Sequence, residues 1–258
     1  MILIMKTIFL FIYLVLGGIL GGLASTMAGM ASLATYPVLL SLGIPPIYAN
    51  ITNDAALIWA GIGSTAASIN ELKGHWQKLL FFACFSIFGS IIGCFLLIRF
   101  PSKTFEKIVP FCIAFSGIMV LLPKSKDFKK NSSKNKLVFK LIALLCIIIT
   151  GLYTGYFGAA AGVLMLGILN LITDDKFLTV NAMKNVINAL NNFVALIIYI
   201  FTAKVYWSAA IPLAIGVLFG SYLGPKAMRF IPIKVMKWTI AALTLCQAIY
   251  FGYTAYLK

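Results

Sequence analysis

Apolar segments of about 20 residues follow one another along almost the entire chain, separated by short polar turns. In a helix, about 20 apolar residues span the roughly 30 Å hydrocarbon core of a bilayer. The clearest segments run over residues 6–28, 50–70, 77–98, 105–123, 138–158, 181–203, 207–225 and 235–255. Because 62% of the 258 residues are hydrophobic and only 10% are charged, a soluble domain would lack the polar surface that water requires. The sequence therefore predicts an all-α polytopic membrane protein with about eight transmembrane helices.

Two further apolar pieces, near 33–42 and 160–172, are too short to cross a bilayer alone. Each of them follows a glycine-rich stretch at the end of a long apolar segment. Short helices beside an interruption are typical of re-entrant or broken segments, which membranes tolerate where protein surrounds them. We predict such segments near 29–45 and 158–173.

The two halves of the chain carry matching residues at a nearly constant offset. A shift of 131 positions aligns several pairs, namely Asn50/Asn181, Trp76/Trp207, Gly89/Gly220, Gly93/Gly224 and Pro101/Pro232, and a shift of 129 aligns Gly22/Gly151 and Gly29/Gly158. The matches predict two four-helix repeats, over 1–123 and 137–258, which is a common plan for secondary transporters. Four spans in each half would give the repeats the same orientation, whereas a different number would invert them, and the sequence leaves both arrangements open.

A basic linker at 124–136 separates the two repeats and holds much of the formal net charge of +15. In a soluble protein such a charge would suggest nucleic-acid binding, but here the positive-inside rule explains it and no nucleic-acid partner is predicted. The rule places the linker in the cytoplasm. With four spans on either side, both termini would be cytoplasmic as well, in a multi-pass protein of the plasma membrane.

The residue types that most often carry catalysis or bind metals are sparse. The chain has one histidine and six acidic residues, and its five cysteines lie in apolar stretches without CxxC spacing. An enzyme acting on lipid within the membrane would need a base beside a nucleophile, or a pair of carboxylates. A zinc or disulfide site would need clustered ligands. We therefore expect no enzyme activity, no metal and no cofactor.

Asparagines recur every three or four residues along the segment that begins near residue 181, where the helical repeat places them on one face: Asn181, Asn185, Asn188 and Asn192. Amides are unfavourable in hydrocarbon unless they find partners. The face therefore lines a cavity or forms interhelical hydrogen bonds, and four amides favour the cavity. Lys184 and Asn191 lie beside this stripe, and Lys184 either attracts an anion or extends to the membrane surface.

The corresponding helix of the first half carries Asn50, Asn53 and Asp54. An acid within a membrane is a candidate functional residue, and Asp54 could exchange a proton or hold a sodium ion to couple transport. Alternatively, Asp54 caps the start of this helix near the membrane interface. Both interpretations stay open from the sequence alone.

Two glycine-rich stretches, 17–29 and 151–162, admit two interpretations. Small residues four apart let helices pack closely, which is all that the pairs Gly89/Gly93 and Gly220/Gly224 indicate. A break in the helix would instead expose backbone N–H groups at a half-helix N-terminus, and such groups attract anions. The second interpretation adds four residues to the candidate substrate-binding asparagines, namely Thr26, Gly29, Gly158 and Gly162.

Several motifs together resemble the TauE/SafE family of membrane transporters, the sulfite exporter family. They are the glycine-rich first span, Tyr36-Pro-Val-Leu-Leu-Ser-Leu-Gly-Ile-Pro45, Ala49-Asn-Ile-Thr-Asn-Asp54, Gly155-Tyr-Phe-Gly-Ala-Ala-Ala-Gly-Val-Leu-Met-Leu166 and Phe219-Gly-Ser-Tyr-Leu-Gly-Pro-Lys-Ala-Met-Arg229. The resemblance covers nearly the whole chain and implies a duplicated helical carrier for sulfite, sulfonates or related organic anions. The sequence departs from the family pattern after the first span, where the expected glycine cluster is reduced to Ala28-Gly-Met-Ala31.

These observations predict a secondary transporter that moves a small anion across the lipid bilayer by alternating access. The alternatives are an anion channel, or a membrane assembly subunit without carrier activity. An intramembrane lipid-modifying enzyme is the weakest interpretation, because the acids are dispersed and the single histidine has no obvious partner.

Overall fold

The computed structural model describes residues 2–99, 136–156, 158 and 161–256, together with Phe111, Ala114 and Ile118. Regular secondary structure in these residues is helical throughout. The helices are α1 (Ile2–Ala28), α2 (Ser32–Ser41), α3 (Pro46–Ala67), α4 (Ile69–Leu72), α5 (Trp76–Arg99), α6 (Lys136–Tyr156), α7 (Ala161–Ile172), α8 (Phe177–Thr202), α9 (Trp207–Met228) and α10 (Ile233–Tyr256). Most of the predicted span at 105–123, and the linker up to residue 135, lie outside the described residues.

The surface and the length of the helices fit a membrane environment. Four of the described helices are long and apolar enough to cross a bilayer, over Thr7–Ala28, Trp76–Arg99, Phe177–Thr202 and Trp207–Met228, and two shorter apolar helices cover Leu141–Tyr156 and Ala161–Ile172. Large apolar side chains such as Phe88, Phe95, Ile211 and Phe219 are exposed on their outer faces. So extensive an apolar exterior is unfavourable in water and favourable in lipid. The predicted helical class is confirmed, and the chain is a multi-pass membrane protein.

The first glycine-rich stretch ends in a break between α1 and α2. Gly29 has a φ of +78°, a conformation that glycine adopts without steric strain. Its N–H donates to the carbonyl of Ser25 at 2.8 Å, and the N–H of Met30 donates to the carbonyl of Ala24 at 3.2 Å. These two bonds terminate α1, as glycine commonly does at helix ends.

The second glycine-rich stretch ends in a similar way. Helix α6 stops at Tyr156, Gly158 has a φ of +70°, and α7 begins at Ala161. The N–H of Gly158 donates to the carbonyl of Tyr153 at 3.1 Å. Both stretches are therefore interrupted helices, each followed by a short apolar helix.

Helices α1 and α9 pack along a seam of small residues and run parallel. A Cβ built on Gly18 would lie 2.3 Å from the Leu213 carbonyl oxygen, and one on Gly22 would lie 2.4 Å from that of Val217. One turn further on, a Cβ on Gly224 would lie 2.0 Å from Oγ1 of Thr26. The residue numbers of the contacts increase together along both helices, so α1 and α9 run parallel. Backbones approach so closely only where glycine, which has no side chain, is present.

Helices α5 and α6 form a second parallel pair of the same kind. A Cβ on Gly89 would lie 2.0 Å from the Ile148 carbonyl oxygen, and one on Gly93 would lie 2.1 Å from that of Leu152. The glycines at 89, 93, 220 and 224 thus serve close packing, as their spacing predicts.

The remaining long helices take their directions from contacts along their lengths. Helix α3 runs parallel to α9, because Thr52 accepts the N–H of Tyr206 at one end and the Ala67 carbonyl accepts Arg229 at the other. Helix α8 runs parallel to α5, because Asp175 pairs with Lys78 and Asn191 donates to Ser86.

Helices α3 and α8 cross each other in opposite directions. Ile51 near the start of α3 shares a core cluster with Tyr199 near the end of α8, and Gly61 further along α3 lies against Ala189. Helices α1, α3 and α9 therefore point one way, and α5, α6 and α8 point the other way.

Candidate functional site

The two helix breaks touch in the interior of the protein. A Cβ built on Gly29 would lie 2.5 Å from the carbonyl carbon of Gly162, and one on Gly162 would lie 2.7 Å from Cα of Gly29 and 2.8 Å from Nδ2 of Asn188. A Cβ on Gly158 would lie 3.6 Å from Oδ1 of Asp54. Three candidate residues from distant parts of the sequence, Gly29, Gly162 and Asn188, thus lie in one place, and Asp54 lies beside the second break at Gly158.

We expect Gly29→Ala to disturb this meeting point far more than the same change at other glycines of positive φ. Gly43 and Gly74 have φ values of +73° and +80° and no heavy atom within 4 Å of a built Cβ, so Gly43→Ala and Gly74→Ala carry the backbone strain alone. That strain is about 1–2 kcal/mol, and overpacking adds roughly 1–3 kcal/mol at Gly29. Thermal unfolding in detergent should show a larger loss for Gly29→Ala. Equal losses in all three variants would mean that the contact with Gly162 is loose.

The asparagine stripe lies inside the helical bundle. Helix α8, which carries it, packs against α3, α5, α6 and α7. Asn181 and Asn185 are 2% and 6% exposed, and Asn188 and Asn192 are half-buried. The stripe therefore faces protein, as the unfavourable transfer of amides into hydrocarbon requires.

Two side chains of α8 bind the broken end of α1. Asn181 donates from Nδ2 to the Thr26 carbonyl at 2.8 Å, and Lys184 donates from Nζ to the Ser25 carbonyl at 3.0 Å. The last carbonyls of a helix have no partner within the helix, and a cation beside them is favourable. Lys184 is completely buried, so the alternative that it extends to the membrane surface is wrong.

Three amide atoms of the stripe remain without a hydrogen-bond partner in the part of the chain that the structure describes. They are Oδ1 of Asn181, Nδ2 of Asn185 and Oδ1 of Asn188, and all three are buried. Leaving a buried donor or acceptor unsatisfied costs about 1–3 kcal/mol. Buried polar groups are nearly always satisfied, so atoms of this kind indicate a place that takes up water or a ligand.

Asn191, which the sequence places beside the stripe, joins helices together. It is fully buried, and its Nδ2 donates to Oγ of Ser86 on α5 at 2.7 Å. This is the interhelical role that the sequence offered as the alternative for the whole stripe.

Tyr199 is a residue of the site that sequence reasoning missed. Its hydroxyl donates to the Gly155 carbonyl at 2.7 Å and so binds the broken end of α6. The residue lies seven positions after Asn192, two helical turns further along the same face. Extending the polar stripe by this interval would have identified it.

Asp54 lies in the third turn of α3 and is 4% exposed. The alternative that it caps this helix is wrong, because α3 begins at Pro46 with Pro45 in the N-cap position. Proline suits the first helical position, where its missing N–H removes no hydrogen bond. Asp54 therefore lies well within α3 rather than at its start. Its carboxyl group lies beside Gly158.

The other candidates of the first half have mainly structural contacts. Asn53 accepts the hydroxyl of Thr35 and donates to Oγ of Ser32 at 3.3 Å, which attaches α2 to α3. The hydroxyl of Thr26 donates to the Gly22 carbonyl at 2.9 Å within α1. Asn50 is half-buried one turn before Asp54, and its side chain makes no hydrogen bond to another described residue.

Over the residues that the structure describes, no group of three or more histidine, cysteine, aspartate or glutamate side chains is arranged to hold a metal ion. The polar groups at the helix breaks include amides, the hydroxyl of Tyr199, one lysine and one carboxylate. Groups of these kinds form hydrogen bonds and charge interactions with small ions or polar molecules.

Comparison with known proteins gives a consistent result. The family described as "Sulfite exporter TauE/SafE" matches residues 14–251. The chain is 24% identical over 210 residues to the "Probable membrane transporter protein" of Haemophilus influenzae, covering 81% of each chain. It is 25% identical over 208 residues to "Probable membrane transporter protein YfcA" of Escherichia coli, covering 80% of this chain and 76% of that protein. It is 27% identical over 241 residues to "Probable membrane transporter protein ORF9" of a Sinorhizobium species, covering 92% and 90%. No solved structure matches the chain.

Proposed function

We propose that this chain, which belongs to the sulfite exporter TauE/SafE family, is a secondary transporter that carries a small anion by alternating access. Family membership and the named relatives make it a membrane transporter, and the plasma membrane is its expected location. One observation carries the finer proposal: two amide donors of α8, the partnerless Nδ2 of Asn185 and Nδ2 of Asn188, lie near the place where two interrupted helices meet. Sulfite or an organic sulfonate is the proposed substrate, because its oxygens would accept hydrogen bonds from amides.

The start of two short helices at the meeting point supports an anionic substrate. Gly29 lies three residues before α2, and Gly162 is the second residue of α7. The N-cap position of α2 is Ala31, which offers no side-chain hydrogen bond to the first N–H groups. Free N–H groups and the helix dipole favour an anion at such a place. Nδ2 of Asn185, which has no partner, and Nδ2 of Asn188 would add donors from α8.

The proposed role of Asp54 is to couple transport to a proton. Its carboxylate lies beside Gly158, close to the start of α7, where an anionic substrate would also bind. Two negative charges at one site repel each other strongly in a water-poor interior. Binding of the anion is therefore favoured when Asp54 is protonated, so the proton and the anion would bind together.

Several structural facts support the proposal of two repeats with inverted orientation. Under the shifts found in the sequence, the starts of α2, α3 and α5 fall on those of α7, α8 and α9. The corresponding long helices run in opposite directions, because α1 and α3 point one way while α6 and α8 point the other way. Inverted repeats are a common basis of alternating access, since the two halves can exchange conformations.

The helix directions also suggest which side of the membrane each terminus occupies. Helix α6 begins at the end of the bundle where α5 begins with Trp76, and α1 begins at the opposite end, where α9 begins with Trp207. Basic residues crowd the Trp76 end, among them Lys73, Lys78, Lys176, Lys226, Arg229 and Lys234, and the basic linker leads into α6 there. We propose that this end is cytoplasmic.

We therefore expect the N-terminus outside the cytoplasm, whereas the sequence alone suggested that it shares the side of the linker. Helix α2 runs back along α1, since Gly17 lies against Val38 and Gly21 against Thr35, and α7 returns the chain in the same way between the parallel helices α6 and α8. These returns change the number of crossings on which that expectation depended. A single cysteine in the linker and another before Thr7 would be labelled by a membrane-impermeant maleimide in intact cells, in a variant without the native cysteines. Only the N-terminal cysteine should react before lysis. Labelling of the linker in intact cells would reverse the assignment.

Transport into proteoliposomes tests the proposed function. The purified protein should take up radiolabelled sulfite, sulfoacetate or taurine with saturation, and unlabelled substrate on the opposite side should accelerate uptake by exchange. Accelerated exchange is a property of a carrier and not of an open pore. Uptake that neither saturates nor responds to substrate on the far side would instead indicate a channel.

A further inference from the structure

We propose that the moving bodies of this transporter are two bundles of mixed sequence, formed because the halves exchange one long helix. The first bundle contains α1, α2, α3 and α9, and the second contains α5, α6, α7 and α8. Helix α9 of the second half thus belongs to the bundle of the first half, and α5 of the first half belongs to the other. The inference rests on the proposed alternating access and identifies which helices move together.

The first bundle is held together by one continuous core. Its buried residues come from α1, α2, α3 and α9, and include Leu14, Leu39, Leu57 and Leu213. The glycine seam between α1 and α9 leaves no space between the two backbones, as the built Cβ at Gly22 shows. Close packing of this kind resists sliding, because any shift brings backbone atoms into collision. Helix α9 is therefore fixed to α1 and α3.

The second bundle also has a close seam of small residues. Gly151 and Gly155 of α6 lie against Ser86 and Ser90 of α5, where built Cβ atoms would be 2.0 and 2.1 Å from the serine carbonyl oxygens. Asn191 of α8 bonds to Ser86 of α5, which adds the third long helix. Helices α3 and α5 are consecutive long helices of one half but make little contact with each other, and the same is true of α8 and α9.

Ionic contacts attach the two exchanged helices, α5 and α9, to their bundles at the end of the protein where α5 begins with Trp76. Asp175, in the turn before α8, pairs with Lys78 of α5 and lies 3.2 Å from Nε2 of His75. Partial burial raises the pKa of the Asp175 carboxyl, but the hydrogen bond and charge of Lys78, with His75, outweigh burial and lower it. At the end of α9, Arg229 donates to the Ala67 carbonyl of α3 at 2.7 Å and pairs with Glu71 at 2.9 Å.

The seam between the bundles has a different character. It includes the crossing of α3 with α8, the contact of the two helix breaks, and the bonds from Asn181 and Lys184 to the end of α1. Apolar residues also meet there, since Ile51 of α3 shares a cluster with Tyr199 of α8. The partnerless amide atoms and Asp54 also lie along this seam. Glycines bring chain segments close together in this seam as well, at Gly61 against Ala189 and at Gly29 against Gly162. What favours opening of this seam is its unsatisfied polar groups, which water or substrate can satisfy when the bundles separate.

Distances between spin labels test the assignment. In a variant whose five native cysteines are replaced, labels would be attached to pairs of exposed residues. Two pairs lie in one bundle but in different halves, Ile47/Trp207 and Gln77/Lys176. Two pairs lie in one half but in different bundles, Ile47/Arg99 and Lys176/Phe230. Each labelled protein would first be assayed for transport in proteoliposomes, which keeps the test separate from that of the proposed function.

In labelled proteins that transport sulfite, we expect added substrate to shift the Ile47/Arg99 and Lys176/Phe230 distances by several ångströms in opposite senses. The Ile47/Trp207 and Gln77/Lys176 distances should stay constant. The opposite pattern, with fixed distances inside each half, would overturn the proposal and make the halves the moving bodies. Four unchanged distances in an active transporter would overturn it as well.

Discussion

Replacing Asp54 with asparagine is expected to abolish uphill accumulation of the transported anion while exchange of substrate continues. Asn has nearly the same shape as Asp but cannot exchange a proton, so the substrate would move without its coupled proton. One proton moving with one anion supports about tenfold accumulation for each pH unit of gradient, since one unit is worth about 1.4 kcal/mol. In vesicles with an imposed pH gradient, the Asp54→Asn variant should therefore fail to accumulate the substrate by this factor.

Asp174→Asn is the matched control, because it makes the same change in an exposed residue of the turn before α8. It should accumulate substrate like the unaltered protein. If Asp54→Asn loses exchange as well as accumulation, the carboxyl group would belong to substrate binding rather than to coupling. Full accumulation by Asp54→Asn would remove Asp54 from the mechanism.

The double variant Asn185→Leu, Asn188→Leu is expected to lose transport by roughly a hundredfold or more while still inserting into the membrane. Hydrogen bonds to a charged ligand are worth about 1.5–3 kcal/mol each, and two of them would be lost together. Leucine is similar to asparagine in size and favourable in a membrane helix, so the helix itself should form. Initial rates of labelled sulfite uptake, normalised to the protein in each vesicle, would measure the loss.

The control for this variant is Asn191→Leu combined with Ser86→Ala. It removes a buried amide from the same helix, together with its partner on α5. We expect transport within about twofold of normal and a modest loss of stability, because interhelical hydrogen bonds in membranes average about 0.6 kcal/mol. Normal transport by Asn185→Leu, Asn188→Leu would exclude the stripe from substrate binding.

The positions of the helices could be predicted from the sequence, because they depend on local features: the length of each apolar segment and the glycines that interrupt it. The predicted segments at 77–98 and 207–225 correspond to α5 and α9, which begin one residue earlier and at the same residue, respectively. The sequence pattern places the start of α3 too late, at 50, because Asn50 and Asp54 look like a capped helix start. The Pro45-Pro46 pair was the better signal, since proline favours the first turn.

The interior of the site depends on contacts that no local pattern encodes. Gly29 and Gly162 are 133 positions apart, and only the packing of α1 against α7 brings them together. The sequence could show that Lys184 is a lysine in an apolar segment, but its partner is a backbone carbonyl of α1. Every residue has a carbonyl group, so the choice of Ser25 follows from the tertiary structure alone.

The glycine seam between α1 and α9 also has a consequence for biosynthesis. When α1, α2 and α3 have emerged from the ribosome, the groove that receives α9 is still empty, and more than 130 further residues must be made before it is filled. Long delays between the partners of a contact slow folding and leave surfaces open to wrong association. Neither half should fold on its own, yet two separately expressed fragments, divided in the linker, should assemble because each supplies the helix that the other lacks.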